Sequence, residues 1–388
     1  MKDLSIDLQQ RREAALYRRR RVVETPCAVE MRVDGRDCLS FCSNDYLGLA
    51  NHPDLIAALK KGADQWGVGS GSAHLVVGHS AAHHALEEEL AAFVGRERVL
   101  LFSTGYMANL AITSALAGRS TRLFQDRLNH ASLLDAARIS GSRLIRYRHG
   151  DMADLDKRMQ DADAEDACVL SDGVFSMDGD LAPLPEMVRI AAAHQADVMV
   201  DDAHAIGVLG ATGAGTLEHY GLDDKQVPIL MATLGKAFGV AGAFVAGSEA
   251  LIETLIQQAR SYIYTTAMPA AMAEATRVSL RKVQQDQWRR EQLAELVAYF
   301  RQGAAQRGLS LMTSMTPIQP LLLGSSERAL AWSDALLDQG ILVPAIRPPT
   351  VAEGQARLRL TFSASHQMTQ VERLLDALEK ISLAEGAA

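Results

Sequence analysis

Cysteine is scarce in this chain of 388 residues: Cys27, Cys38, Cys42 and Cys168 form no CxxC pair and no zinc spacing. That argues against a disulfide framework and for free thiols in a reduced cytoplasm. Positive charge is also short, with 39 Lys and Arg against 47 Asp and Glu and a formal net charge of −8. A nucleic acid is therefore not expected as the main partner. No apolar run reaches the length of a membrane span, and the polar start Met1-Lys2-Asp3-Leu4 does not read as a signal peptide, so a cytoplasmic protein with no membrane partner is expected. A G-x-S-x-G elbow is missing, which removes the common serine hydrolase arrangement. Internal repeats and low-complexity linkers are missing too.

What is present is an ordinary globular composition, 48% hydrophobic with a mean hydropathy of −0.01. The length predicts two compact units and a terminal extension: an N-terminal helix and hairpin over 1–40, a large domain over 41–280 and a small α+β domain over 281–388. Residues 4–20 read as an amphipathic helix, with Leu4, Leu8, Ala15 and Leu16 apolar among charges. Arg11-Arg12 and Arg18-Arg19-Arg20-Arg21 suit a solvated helix face; the sharper alternative is that some of them receive an anionic acyl substrate. Short strands follow around Ala28–Val33 and Cys38–Phe41, joined by an Asp34-Gly35 turn. Ser80 opens a helix to Val94, and Ser103-Thr104-Gly105 leads from the strand Val99–Phe102 into a helix through Leu116. Apolar strands near Arg143–Tyr147, Cys168–Ser171, Val198–Asp201, Ile229–Ala232 and Gly242–Ala246, mostly separated by helices, predict an α/β fold with a mostly parallel sheet buried on both faces. A long helical region over about 269–306 precedes a strand, helix, strand, strand, helix pattern.

Two segments carry chemistry. Thr233-Leu234-Gly235-Lys236 places a lysine among small residues at the end of an apolar run, where burial lowers an amine's pKa and makes it nucleophilic. Earlier, Val198-Met199-Val200 closes on Asp201-Asp202-Ala203-His204. A carboxylate at the C-terminal end of a strand suits a cofactor's ring nitrogen. Lysine and aspartate in this order point to pyridoxal phosphate. Adjacent strand residues face opposite ways, so only one of Asp201 and Asp202 can face the ring, and the spacing does not choose.

His204 and Ser176 are candidates for the phenolic oxygen, and His130 for stacking on the ring. As lone residues, His204 and Ser176 are more often loop polar groups satisfied by backbone, and His130 can be an N-terminal helix histidine with no ligand. Ser103-Thr104-Gly105-Tyr106 is a strand, turn and helix start that offers N–H groups to a phosphate. Thr233 adds a hydroxyl, and the glycine-rich Gly67-Val68-Gly69-Ser70-Gly71-Ser72 is a weaker cradle. His79, His83 and His84 include an i, i+4 pair able to share a metal, but no third ligand is obvious. No metal is expected, and a solvated or interface face is the reading.

These residues resemble the α-oxoamine synthases, fold-type I pyridoxal-phosphate transferases that join an amino acid to an acyl thioester with loss of carbon dioxide. The resemblance covers nearly the whole chain. It rests on Ser43-Asn44-Asp45-Tyr46-Leu47-Gly48-Leu49, the segment 67–72, Asn129-His130-Ala131-Ser132, Val174-Phe175-Ser176-Met177-Asp178-Gly179, and the two segments above. It implies a seven-stranded, mostly parallel sheet flanked by helices, a smaller C-terminal α+β domain and an N-terminal helical extension.

The resemblance makes Lys236 the amine that binds the cofactor's aldehyde and then the base for the α-proton. It selects Asp201 for the ring nitrogen, places His204 and Ser176 on the phenolic side and puts His130 on the ring face. Gly105, Tyr106 and Thr233 would bind the cofactor or its phosphate. Thr265 and Thr266 would reach the phosphate of a neighbouring subunit, implying a homodimer with shared active sites. Arg18 and Thr350 would contact the acyl substrate, Arg347 or Arg359 the alanine carboxylate, and Asn44 the bound substrate.

Ala345-Ile346-Arg347-Pro348-Pro349-Thr350-Val351 and Ala356-Arg357-Leu358-Arg359-Leu360 resemble the biotin-forming branch. That branch condenses L-alanine with a pimeloyl thioester, carried by coenzyme A or an acyl carrier protein. Ala352-Glu353 stands where the family often has proline, and Ala73-His74-Leu75 where it often has more glycine. The alternatives are another synthase of the family, such as a glycine C-acetyltransferase, and a catalytically idle relative acting as a scaffold. The presence of both Lys236 and Asp201 argues against the idle relative.

Overall fold

A computed structural model describes residues 4–162 and 166–386; Met1, Lys2 and Asp3 of the polar start lie outside the described residues. The chain divides into two compact units, one of 1–48, 177–180 and 291–388, the other of 49–176 and 181–290. The boundary at 290 falls inside the helix Gln287–Gln306.

The second unit is built on a seven-stranded sheet. In spatial order its strands are Arg98–Phe102, Ala243–Gly247, Ile229–Thr233, Asp197–Asp201, Ala167–Asp172, Arg122–Asp126 and Arg143–Tyr147. Only Ala243–Gly247 runs against its neighbours; the other pairings are parallel. The strands read as unbroken apolar runs because helices cover both faces. One face packs Leu100, Phe102, Leu123, Leu170, Met199 and Met231 against Ala108, Ile112 and Leu133 of two helices.

Local chemistry starts these helices. Thr104 accepts Met107 N–H at 3.2 Å and opens Gly105–Leu116, and Ser80 stands at the head of Ala81–Val94, which ends on left-handed Gly95. The strand Arg122–Asp126 is absent from the sequence reading. Its last two residues are polar and buried: Gln125 Nε2 donates to Leu133 O at 2.9 Å while its Oε1 has no partner among the described residues, and Asp126 accepts Gly150 N–H at 2.8 Å.

In the first unit, Glu30–Val33 and Arg36–Ser40 form the expected hairpin, with Asp34 and Gly35 at φ of 49° and 75°. Both positive φ values match the tight turn that follows the twist of the strands. Ile318–Gly324, Ala356–Thr361 and Ala345–Ile346 form an antiparallel sheet with the helices Ser326–Asp338 and Met368–Gly386 nearby in sequence.

Two expectations need correction. The N-terminal helix spans Leu4–Glu13 rather than 4–20, and none of its residues is buried. Ala15 takes a left-handed φ of 54°, and a helix continued through Arg18–Arg21 beyond it would crowd four like charges into about one turn, with Arg18 and Arg21 on one face. The helical region over 269–306 is two helices, Ala270–Gln285 and Gln287–Gln306, broken at Asp286, whose ψ of 56° leaves the helical range.

Candidate active site

A cavity of about 190 Å³ opens at the C-terminal ends of the parallel strands in the second unit. Its lining includes Lys236, His204, Asp201, His130, Gly105, Tyr106 and Thr233, so seven of the sequence candidates meet in one place. Open α/β sheets bind ligands at this end of their strands.

Lys236 sits in the turn between Ile229–Thr233 and the antiparallel Ala243–Gly247. The turn is closed by Leu234 N–H to Gly242 O (2.9 Å), Val240 N–H to Leu234 O (3.0 Å) and Gly239 N–H to Lys236 O (2.8 Å). Thr233 Oγ1 also donates to Gly242 O, at 2.9 Å. The turn holds the lysine Nζ 2.7 Å from His204 Nε2.

Asp201 is buried and doubly held: Asn109 Nδ2 donates to Oδ2 at 2.8 Å and Ala203 N–H to Oδ1 at 3.1 Å. Asp202 faces the other way, accepting Thr216 N–H at 2.8 Å and Thr216 Oγ1–H at 2.7 Å. Burial pushes the Asp202 carboxyl up to about 7, against the lowering effect of the two Thr216 bonds. The choice between the adjacent aspartates is thus made by a threonine that anchors one of them away from the cavity.

His130 precedes the helix Ala131–Ser140. Its Nδ1 faces Ser132 Oγ at 2.8 Å and accepts Ser132 N–H at 3.3 Å, while Ser132 Oγ accepts Asn109 Nδ2–H at 2.8 Å. With Nδ1 accepting, the ring proton sits on Nε2. Burial lowers the imidazole's pKa, Asp201 opposes that, and the Lys236 charge adds to it, so the ring is neutral at physiological pH.

Asn109, Ser132 and Asp172 also line the cavity, and sequence reasoning missed all three. Asp172 ends the strand beside Asp201, in register with it, and accepts His130 N–H at 2.7 Å. Burial, reinforced by the Asp201 charge, raises its pKa well above the carboxylate range. The available signal was a pattern: Asp126, Asp172 and Asp201 each close a buried strand.

Other candidates lie elsewhere. Ser176 is half-buried and is not among the described lining residues. Thr265 donates to Ser261 O at 2.8 Å, and Thr266 is exposed and bridges Ala73. The remaining five belong to the first unit. Arg18 Nη2 donates to Thr350 Oγ1 at 3.1 Å, Arg359 donates twice to Asn44 Oδ1 at 3.3 Å, and Arg347 donates to Ala15 O.

The donor set in the cavity fits pyridoxal phosphate. It joins an amine, an anchored carboxylate, an imidazole and the start of the twelve-residue helix Gly105–Leu116, whose first N–H groups have no intrahelical partner. Asn109 Oδ1 is buried beside them without a hydrogen-bond partner among the described residues.

Fold and site together define a pyridoxal-phosphate transferase. A family model described as aminotransferase class I and II matches residues 36–378. A protein of Thioalkalivibrio sulfidiphilus named 8-amino-7-oxononanoate synthase is 64% identical over 98% of this chain and 97% of its own length. One of the same name from Cellvibrio japonicus is 58% identical over 97% and 95%. The chain belongs to the 8-amino-7-oxononanoate synthases, within the class I and II aminotransferase family. Among solved structures, a serine palmitoyltransferase from S. paucimobilis with bound PLP and myriocin matches with a TM-score of 0.94 and 32% identity, covering 99% of this chain and 98% of that one. The 8-amino-7-oxononanoate synthase of Francisella tularensis matches at 0.79 and 31%, covering 90% and 98%. This protein is an acyltransferase and its cofactor is pyridoxal phosphate.

Proposed function

We propose that the protein condenses L-alanine with a pimeloyl thioester, giving 8-amino-7-oxononanoate, carbon dioxide and the free carrier in biotin biosynthesis. The observation that carries the substrate assignment is the near full-length identity of 64% to a protein bearing that activity in its name. The higher TM-score of the serine palmitoyltransferase favours a second reading, a serine-using synthase, but at 32% identity it speaks for the shared fold.

The cofactor, when bound, supplies an electron sink for the amino acid's α-carbon. In this reading Lys236 would hold the cofactor's aldehyde, and its Nζ, once free, would take the α-proton of L-alanine. His204, 2.7 Å away, orients that amine and reaches the phenolic side together with Ser176. Asp201 keeps the ring nitrogen protonated, and Asn109 holds Asp201 in place. His130 covers the ring face as a neutral imidazole. Gly105, Tyr106 and Thr233 would bind the cofactor or its phosphate. Arg18 and Thr350 receive the acyl chain, Arg347 or Arg359 the alanine carboxylate, and Asn44 lies by the substrate.

We also place Thr265 and Thr266 at the phosphate of a second subunit, in a cytoplasmic homodimer with shared sites. Supporting this, Val68, Leu75, Val76, Val77 and Tyr264 are 88%, 50%, 72%, 79% and 72% exposed, and the Ala73–Thr266 bridge joins their two segments. Light scattering should report a dimer mass.

Purified protein incubated with L-alanine and pimeloyl-CoA should give the mass of 8-amino-7-oxononanoate. Glycine with acetyl-CoA and serine with palmitoyl-CoA should give no product; turnover of either in place of alanine would move the assignment. Lys236→Ala should abolish turnover, and near-normal activity in that variant would refute the role given to the lysine.

A further inference from the structure

We propose that His79, His84 and Glu87 form a binding site for a divalent transition metal, with Zn²⁺ the best match. Their candidate ligand atoms lie within 4.8 Å of one another, all in the unit that carries the seven-stranded sheet. The histidines of this region lacked a third ligand in the sequence; the fold supplies it from the second turn of Ala81–Val94.

The obvious member of the i, i+4 pair is excluded. His83 is fully buried, with Nδ1 accepting Ser80 N–H at 3.0 Å and Nε2 donating to Met268 O at 2.7 Å. Both ring nitrogens are occupied by the protein. His84, next along the helix, points to solvent with its side chain 66% exposed and Nε2 3.5 Å from Glu88 Oε1. Glu87 stands one turn beyond His84 and shares its face.

The other two groups are held as ligands of a metal usually are. Glu87 Oε1 accepts Leu101 N–H at 3.0 Å, which leaves Oε2 facing His79 Nε2 at 3.9 Å. That gap is too long for a hydrogen bond, yet two metal–ligand bonds of about 2.0–2.2 Å can span it. On the far side of the ring, His79 Nδ1 lies 3.0 Å from His74 Nδ1, so one of the two rings must donate. With His79 as the donor, its Nε2 carries the lone pair towards Glu87. A partner that fixes the tautomer of a ligating imidazole is the usual outer support of such a site. His74 is itself stacked on Tyr262, with ring centroids 5.1 Å apart and planes at 15°.

Two imidazoles and one carboxylate suit zinc, with the fourth position left to water. The exposed His84 side chain can swing to bring the set to tetrahedral spacing. The ion would tie the end of the turn His74–Gly78 to the helix Ala81–Val94. That turn is continuous with Ser72, whose carbonyl accepts Ala267 N–H at 3.0 Å, and with the Ala73–Thr266 bridge. The site is therefore a brace on the segment 265–268, separate from the cavity at Lys236.

The test uses holoenzyme stripped with a chelator and then dialysed against Zn²⁺, with metal content and binding affinity measured directly. Wild type should take up one Zn²⁺ per chain, and its melting temperature should rise with zinc. His84→Ala should weaken zinc binding by at least about tenfold, the loss that disturbing an outer-shell partner alone can cause, while keeping the metal-free melting temperature. Glu87→Gln, whose amide oxygen can still accept from Leu101, should weaken it likewise and so separates metal loss from packing loss. No zinc uptake by wild type, or equal affinity in wild type and both variants, would overturn the proposal.

Discussion

Asp202 turns a buried hydrogen-bonded carboxyl into a measurable pH dependence. The group has no exposed surface and its carboxyl is held by Thr216, and burial pushes it up to about 7 in the folded chain. An unfolded aspartate titrates near 3.9. Between those values the folded chain holds a proton that the unfolded chain has released, so folding is favoured most at low pH and stability falls as pH rises through the window. A gap of about three units is worth about 4 kcal/mol at 1.36 kcal/mol per unit, of which about 2–3 kcal/mol falls between pH 5 and pH 8.

Asp202→Asn removes the titration and keeps the shape. Its carbonyl oxygen can accept Thr216 N–H, and its amide can donate to Thr216 Oγ1. Urea unfolding of both proteins at pH 5 and pH 8 should show the variant gaining about 2–3 kcal/mol on wild type across that range. Parallel stability profiles would refute the reasoning, because they would mean that Asp202 titrates alike in both states.

Three further outcomes are expected. Gly239→Ala places a Cβ 2.4 Å from Ala50 N and 2.6 Å from the Leu49 carbonyl carbon, at a φ of +66°. It should cost about 1–2 kcal/mol for the left-handed backbone and about 1–3 kcal/mol for the clash, lowering both the melting temperature and cofactor uptake; an unchanged melting temperature would refute it. Arg357→Met strands the buried Asp178 carboxylate that Arg357 holds, which should destabilise by about 3–5 kcal/mol in urea, whereas pairing it with Asp178→Leu should recover much of that loss. Asn109→Ala removes a bond to a charged partner worth about 1.5–3 kcal/mol, so kcat should fall roughly 10–100-fold with little change in KM for L-alanine, and a kcat within twofold of wild type would count against the placement.

The parts of the site legible in the sequence are those written locally. Lys236 ends an apolar run and is followed by the glycines of a hairpin turn, and Thr104-Gly105 stands where a strand gives way to a helix. The choice of Asp201 over Asp202 could not be read, because it depends on Thr216, which arrives from a separate short helix. Asn109 and Ser132 stayed hidden for a related reason. Each lies on a different helix: nothing around Asn109 marks it, and Ser132, though inside the motif that carries His130, is tied to Asp201 only through Asn109, whose Nδ2 donates to both. The strand Arg122–Asp126 escaped because its polar end is buried, with Gln125 and Asp126 bonding to Leu133 and Gly150 further along the chain. The N-terminal helix was read too long because spacing of apolar residues was weighed above the repulsion of Arg18–Arg21.

The one reversed strand has a consequence for how the protein comes into being. Arg98–Phe102 pairs with no strand but Ala243–Gly247 among the described residues, so the edge that delivers Gly105 to the cavity has its sheet neighbour about 140 residues later in the chain. At synthesis rates of about 5–20 residues per second, the nascent chain waits about 10–30 s with that strand unpaired. Lys236 emerges just before the strand that completes the sheet. The helix start at Gly105 and the lysine therefore become one pocket almost at the same moment, late in translation, and a chain halted before residue 243 has pieces of the cavity without the cavity.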